Sequence, residues 1–200
     1  HTIRLTEYFI SQYPVTFEQY QLYQRALNPN TLWEIPPGRA RHPVVNVSWD
    51  DAVAFCAWLT GPGWKFRLPT EAEWEKAARG GSTTPFPWGD QNDPNRANYD
   101  KSGVHDTSTV GCYPGVEDRY SYGCDDLLGN VWEWTADPFN PYPGYARDPY
   151  RDYSEPWFGS HRTLRGGCYA TAPALLRATW RNFYTPDRRD VIAGFRTCAP

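Results

Sequence analysis

Apolar residues recur at helical spacing in three places, and each run is introduced by residues able to cap a helix. Thr16-Phe17-Glu18-Gln19 has the capping-box form, in which a hydroxyl takes the N3 amide and Gln returns to the cap; Tyr20, Tyr23 and Leu27 follow as the inward face. Ser48-Trp49-Asp50-Asp51 is a looser box with Asp as the acid, ahead of Val53, Cys56, Ala57 and Thr60. Thr70-Glu71-Ala72-Glu73 opens the third helix, with Trp74, Ala77 and Ala78 inward and Gly80-Gly81 to stop it. Strand-like runs are shorter: 8–13, 131–134, 162–165, 177–180 and 194–197. From Pro85 to about Tyr153 the periodicity fails, and Pro, Gly, Asn and Asp punctuate short segments. A stretch this long without regular elements is usually functional or held by ions. Two or three helices, small sheets and a loop-rich remainder give the α+β class, as one domain over residues 1–200.

Composition narrows the picture. Aromatic residues make up 16% of the chain, with 10 Trp and 14 Tyr, while mean hydropathy is −0.71. Large rings must therefore be buried with partners for their N–H and O–H groups. A net charge of −3 gives no electrostatic footprint for nucleic acid, and no apolar run approaches the roughly 18 residues of a membrane helix. The chain opens with His and contains no Met, which reads as a piece of a longer protein, its C-terminal part. No signal-peptide pattern leads it, so the expected compartment is the cytoplasm.

Five cysteines, at 56, 112, 124, 168 and 198, form no CxxC pair and no zinc spacing. Buried free thiols are the favoured reading; a Cys112–Cys124 bridge stays open. The four histidines, His1, His42, His105 and His161, include no i, i+4 pair.

An ordered set of motifs runs through nearly the whole chain: Pro14-Val15-Thr16, 42–49 (HPVVNVSW), 67–75 (RLPTEAEWE), Pro87-Trp88-Gly89, Gly129-Asn130-Val131-Trp132-Glu133-Trp134, Arg165-Gly166-Gly167 and Gly194-Phe195-Arg196. The set resembles the formylglycine-generating-enzyme (sulfatase-modifying-factor) family, which implies a variant of the C-type-lectin-like fold. In catalytic members two cysteines closely follow the Gly-Gly pair and bind copper to oxidise a substrate cysteine. Here Cys168 stands alone after Gly167, and soft-metal thiolate chemistry needs at least two close ligands. Related sulfoxide synthases need a helical bundle and a three-histidine iron site, which these histidines do not suggest. The resemblance also implies a calcium site in 126–133: carboxylates from Asp126 and Glu133, carbonyls from Gly129 and Val131, an oxygen set suited to Ca²⁺. The competing reading pairs Glu133 with Arg177 or Arg196 and lets Asp126 cap a turn. A second family site near Asn98 and Tyr99 is weakened by Ser102, which stands where an acid is expected.

Within the family, the chain most resembles the variable proteins of diversity-generating retroelements, which keep the scaffold and vary scattered C-terminal positions. The fixed residues are Arg165-Gly166-Gly167, Pro173, Leu176-Arg177, Arg181-Asn182, Pro186-Asp187, Arg189 and Gly194-Phe195-Arg196. By that resemblance the display positions are Tyr169, Ala170, Thr171, Ala172, Ala174, Leu175, Trp180, Phe183, Tyr184, Thr185, Arg188, Asp190, Val191 and Ile192. Rings and aliphatics at loop positions have the composition of an interface core, although Phe183 and Ile192 also suit an inward position. The expected function is a noncatalytic module binding a protein or other macromolecule. The alternatives are a generic accessory domain of a signalling or protease-like protein and, disfavoured by the missing cysteine pair, an oxidase acting on sulfatase cysteine.

Overall fold

In a computed structural model describing residues 2–113, 122–147 and 149–200, the three capped helices form where the capping boxes place them. They are α1 (Phe17–Leu27), α2 (Trp49–Leu59) and α3 (Glu71–Arg79). Thr16, Ser48 and Thr70 each accept the N3 amide, and the N3 side chain returns to the cap in every case. Helix α3 ends on Gly80 in the left-handed region, as the Gly-Gly stop predicts. The inward faces differ from expectation in two places. Leu27 is exposed at the last turn of α1. In α2 the buried residues are Ala52, Phe55 and Cys56, while Val53, Ala57 and, just beyond the helix, Thr60 face solvent. Phe55 decides that rotation: its ring stacks on Tyr20 at 5.8 Å and meets Phe195 edge-on at 5.3 Å.

Strands are short. β1 (Phe9–Ile10) pairs antiparallel with β6 (Cys198–Ala199), so the two ends of the chain meet. A four-stranded sheet runs in the order β4-β3-β2-β5, with β2 (Trp132–Pro138), β3 (Arg162–Arg165), β4 (Asn182–Tyr184) and β5 (Ala193–Gly194). Only β2–β5 is parallel. The expected strand at 177–180 is absent: Trp180 N–H closes a turn onto Arg177, and Ala178 N–H bonds Pro85 of the irregular segment, not a sheet neighbour. The expected strand at 194–197 is split, because Phe195 and Arg196 turn into the core between β5 and β6.

Two apolar clusters result. One packs α1 and α2 under Phe195, Trp132 and Trp134; the other gathers Trp74, Ala77, Ala78, Phe86, Tyr99, Leu127, Leu128 and Leu176. The irregular stretch from Pro85 onward, of which 114–121 and 148 lie outside the described residues, is stitched by side-chain amides. Asn98 Nδ2 donates to Asp106 O at 2.7 Å, and Asn130 Oδ1 accepts from Ser108 N–H at 2.8 Å. Gly129, at φ 78°, has no room for a side chain: a Cβ there would lie 2.1 Å from Asn98 O.

Candidate functional site

The segment 126–133 and the C-terminal stretch meet at one buried ion pair. Arg196 and Glu133 are both solvent-excluded. Arg196 Nε and Nη2 donate to the two Glu133 oxygens at 2.7 Å each, and Trp74 Nε1 donates to Glu133 Oε2, also at 2.7 Å. The remaining guanidinium donors reach Ser11 O, Gln12 O and Asp125 O at 3.0–3.1 Å. Five N–H donors thus make five bonds, which satisfies the whole guanidinium. Arg165, equally buried, sits over Trp74 and pairs with Glu75. Its neighbour Arg181 holds Glu71 through two bonds of 2.8 and 2.7 Å.

This geometry bears on calcium. Glu133 has both oxygens engaged by Arg196, which is the competing pairing, with Arg196 as the partner. Asp126 accepts Gly111 N–H through Oδ2 at 2.6 Å, and its Oδ1 is buried without a partner. Burial pushes the Asp126 carboxyl up to about 6. One open oxygen is therefore offered, not two, and no group of three or more His, Cys, Asp or Glu gathers among the described residues. Of the set Asp126, Gly129, Val131 and Glu133, both Glu133 oxygens serve the Arg196 pair and one Asp126 oxygen stays open. Near Asn98, Ser102 Oγ donates to Asn98 Oδ1 at 2.9 Å, filling that side-chain acceptor internally.

Cys168 is buried beneath its loop. Thr171 Oγ1 accepts Cys168 N–H at 2.8 Å and lies 3.6 Å from the sulfur, and burial raises the thiol's pKa, which suppresses the thiolate. Cys112 and Cys124 are both unbridged, as are the other three cysteines.

The display positions divide by exposure. Ala170, Ala172, Ala174, Leu175, Trp180, Thr185, Arg188 and Asp190 face solvent, with Leu175 and Trp180 each 37% exposed. Thr171 is buried under Cys168. Val191, Ile192 and Tyr184 pack against the α1–α2 core, with Arg188 laid over the Tyr184 ring at 5.1 Å. Tyr169 is half-buried, its N–H bonded to Asn130 O. Phe183 stacks on Phe139 at 4.1 Å and touches Tyr153 and His161.

Sequence reasoning passed over the neighbours of Phe183. Tyr145, Tyr150, Tyr153 and Trp157 are all exposed rings of the irregular segment beside β4. Their density between 139 and 158 is visible in the chain but follows no period, so nothing in the pattern assigned them a face. On β4 itself, Asn182 Oδ1 takes Phe183 N–H at 2.9 Å. That bond blunts the sheet edge against strand addition.

Comparison with known proteins places this geometry. The family described as the sulfatase-modifying factor enzyme 1-like domain matches residues 1–199, and the chain belongs to it. Hercynine oxygenase of Mycobacterium tuberculosis is 40% identical over 163 residues, covering 78% of this chain and 36% of that protein. Inactive C-alpha-formylglycine-generating enzyme 2 of Mus musculus is 38% identical over 86% of this chain and 55% of its own length. Among solved structures, Treponema denticola variable protein 1 superposes with a TM-score of 0.74 and 28% identity, covering 100% of this chain and 86% of that one. The α+β architecture is accordingly the C-type-lectin-like fold of the formylglycine-generating-enzyme type. The chain spans little more than a third of the hercynine oxygenases it matches. Among the described residues, no helix is long and apolar enough to cross a membrane.

Proposed function

We propose that the chain is a noncatalytic binding module that presents a protein ligand with a C-terminal surface, in the manner of a retroelement variable protein. The observation that carries this reading is the division of residues 168–193. The residues that flank the segment, Arg165, Gly166, Gly167, Gly194 and Arg196, are buried, while eight of the display positions between them face solvent. Leu175 and Trp180 supply exposed apolar area, and Arg188 and Asp190 supply charge. Aromatic and aliphatic anchors on a fixed frame bind with little ordering cost. The lone, buried Cys168 supports the noncatalytic half of the reading.

Selection of binders from a displayed protein library, followed by affinity measurement on Trp180→Ala and Leu175→Ala, tests it. Each truncation is expected to cost about 2 kcal/mol of binding if it removes a hot spot. Affinity unchanged in both variants removes these two residues from the surface. Turnover of a cysteine peptide with copper and oxygen, abolished by Cys168→Ser, would overturn the noncatalytic reading. We propose the cytoplasm as its compartment, which five unbridged thiols suit; recovery of a disulfide on thiol counting would reverse that.

One observation favours a second reading. The 40% identity to hercynine oxygenase exceeds that to the variable protein. A chain embedded in a longer oxygenase-like protein would act with iron ligands supplied elsewhere. Oxygen consumption with hercynine by the longer protein decides between the two.

A further inference from the structure

A cavity of about 360 Å³ lies between α1, the end of α2 and the segment that follows β1, away from the positions considered above. Its volume falls within the range of small-molecule pockets. Phe55, Trp58, Leu22 and Leu59 supply an apolar wall, and Glu18 and Arg41 line the same space. One backbone bond brings α1 beside the 40–41 segment, with Glu18 N–H donating to Ala40 O at 3.0 Å, and Arg41 O accepts Val110 N–H at 3.0 Å. Yet neither side chain has an ionic or hydrogen-bonded partner among the described residues, and they do not pair with each other. The other polar groups of the cavity are engaged. Gln19 is committed to the cap of α1 and Gln12 to Asp125.

We propose that this cavity binds a free hydrophobic amino acid as its zwitterion. An unpaired guanidinium is a bidentate receptor for a carboxylate, and an unpaired carboxylate on the same rim receives an ammonium. The exposed face of Trp58, with Leu22 and Leu59 beside it, supplies the apolar wall for the side chain. An internal peptide segment offers neither charge and a peptide end offers one. Only the free amino acid offers both beside a single apolar group. The inference stands apart from the C-terminal surface and survives whichever reading of it holds.

Calorimetric titration with L-phenylalanine as the probe tests the proposal, with its amide and its N-acetyl derivative as controls. Saturable binding is expected for the free amino acid, weakened about tenfold or more by loss of either charge. Arg41→Gln should erase the preference for acid over amide, and Glu18→Gln the preference for free amine over N-acetyl. Both residues are exposed, and thermal midpoints equal to wild type certify that the variants fold. Trp58→Ala should weaken all three compounds. Absence of saturable binding, or equal affinity for all three, overturns the proposal. Undiminished binding of the N-acetyl form alone also overturns it, in favour of a site for a peptide carboxyl terminus.

Discussion

The Arg196–Glu133 centre and the 168–193 surface lie close in sequence and are built on opposite terms. At the centre every donor of Arg196 has an acceptor, and four separate parts of the chain converge on it: residues 11–12, α3, residues 125–133 and the C-terminal stretch. On the surface, Leu175, Trp180 and Thr185 are exposed positions. A scaffold can tolerate change at one place because its constraints are concentrated at another. The two arginines that frame the display segment, Arg165 and Arg196, are the two largest buried cations of the described residues, and neither is available to a ligand.

That contrast can be broken most forcefully at the centre. Arg196→Met leaves Glu133 buried without its counter-charge, and about 3–5 kcal/mol of stability should be lost in chemical denaturation. A loss below about 1 kcal/mol would mean that the pair does not organise the fold. Gly129→Ala forces a Cβ against Asn98 O in a backbone region side chains avoid, and a loss of about 2 kcal/mol or more is expected. At the surface the sign of the test reverses. Trp180→Ala should change the unfolding free energy by less than about 1 kcal/mol. Phe183→Ala, which opens a gap against Phe139, should cost about 3 kcal/mol. Equal losses from both would erase the distinction between exposed and packed display positions.

Smaller effects sharpen the electrostatic side. Calcium should leave the thermal midpoint where ionic strength alone puts it; a rise reversed by chelation would show that Glu133 can release Arg196 to a cation. Asp137 caps the first turn of α3, its Oδ2 accepting Glu71 N–H at 2.6 Å, and burial raises its pKa above 3.8. A raised acid contributes most stability below its unfolded value and loses that contribution as pH rises through its folded one. Wild type should therefore lose ground to Asp137→Asn as pH climbs from about 4. A flat difference between the two would remove Asp137 from the pH dependence.

The helices were legible because capping is local chemistry: Thr16, Ser48 and Thr70 announce themselves within four residues. The inward face of α2 was read one position off, since Val53 and Phe55 can each serve and only packing against Tyr20 and Phe195 chooses. The failed strand at 177–180 has the same origin, a backbone partner, Pro85, that lies 93 positions away in sequence for Ala178. The pairing of Glu133 was among the alternatives the sequence allowed, but choosing Arg196 over Arg177 requires the fold. Of the display positions, the motif located the segment and could not sort its members. Val191 and Ile192 turn inward against core residues remote in the chain, and Thr171 is held in by Cys168, three residues before it.

The pairing of β1 with β6, and the grip of Arg196 on residues 11 and 12, have a consequence for synthesis. Residues 168–193 are followed, not preceded, by the pieces that lock the ends together. A stop codon or a shift of reading frame anywhere between 168 and 193 deletes Arg196 and β6 and strands Glu133 in the interior without a cation. Single-residue exchanges at exposed positions leave that closure untouched. The order of parts along the chain thus makes closure depend on residues 168–193 being read in frame to the end.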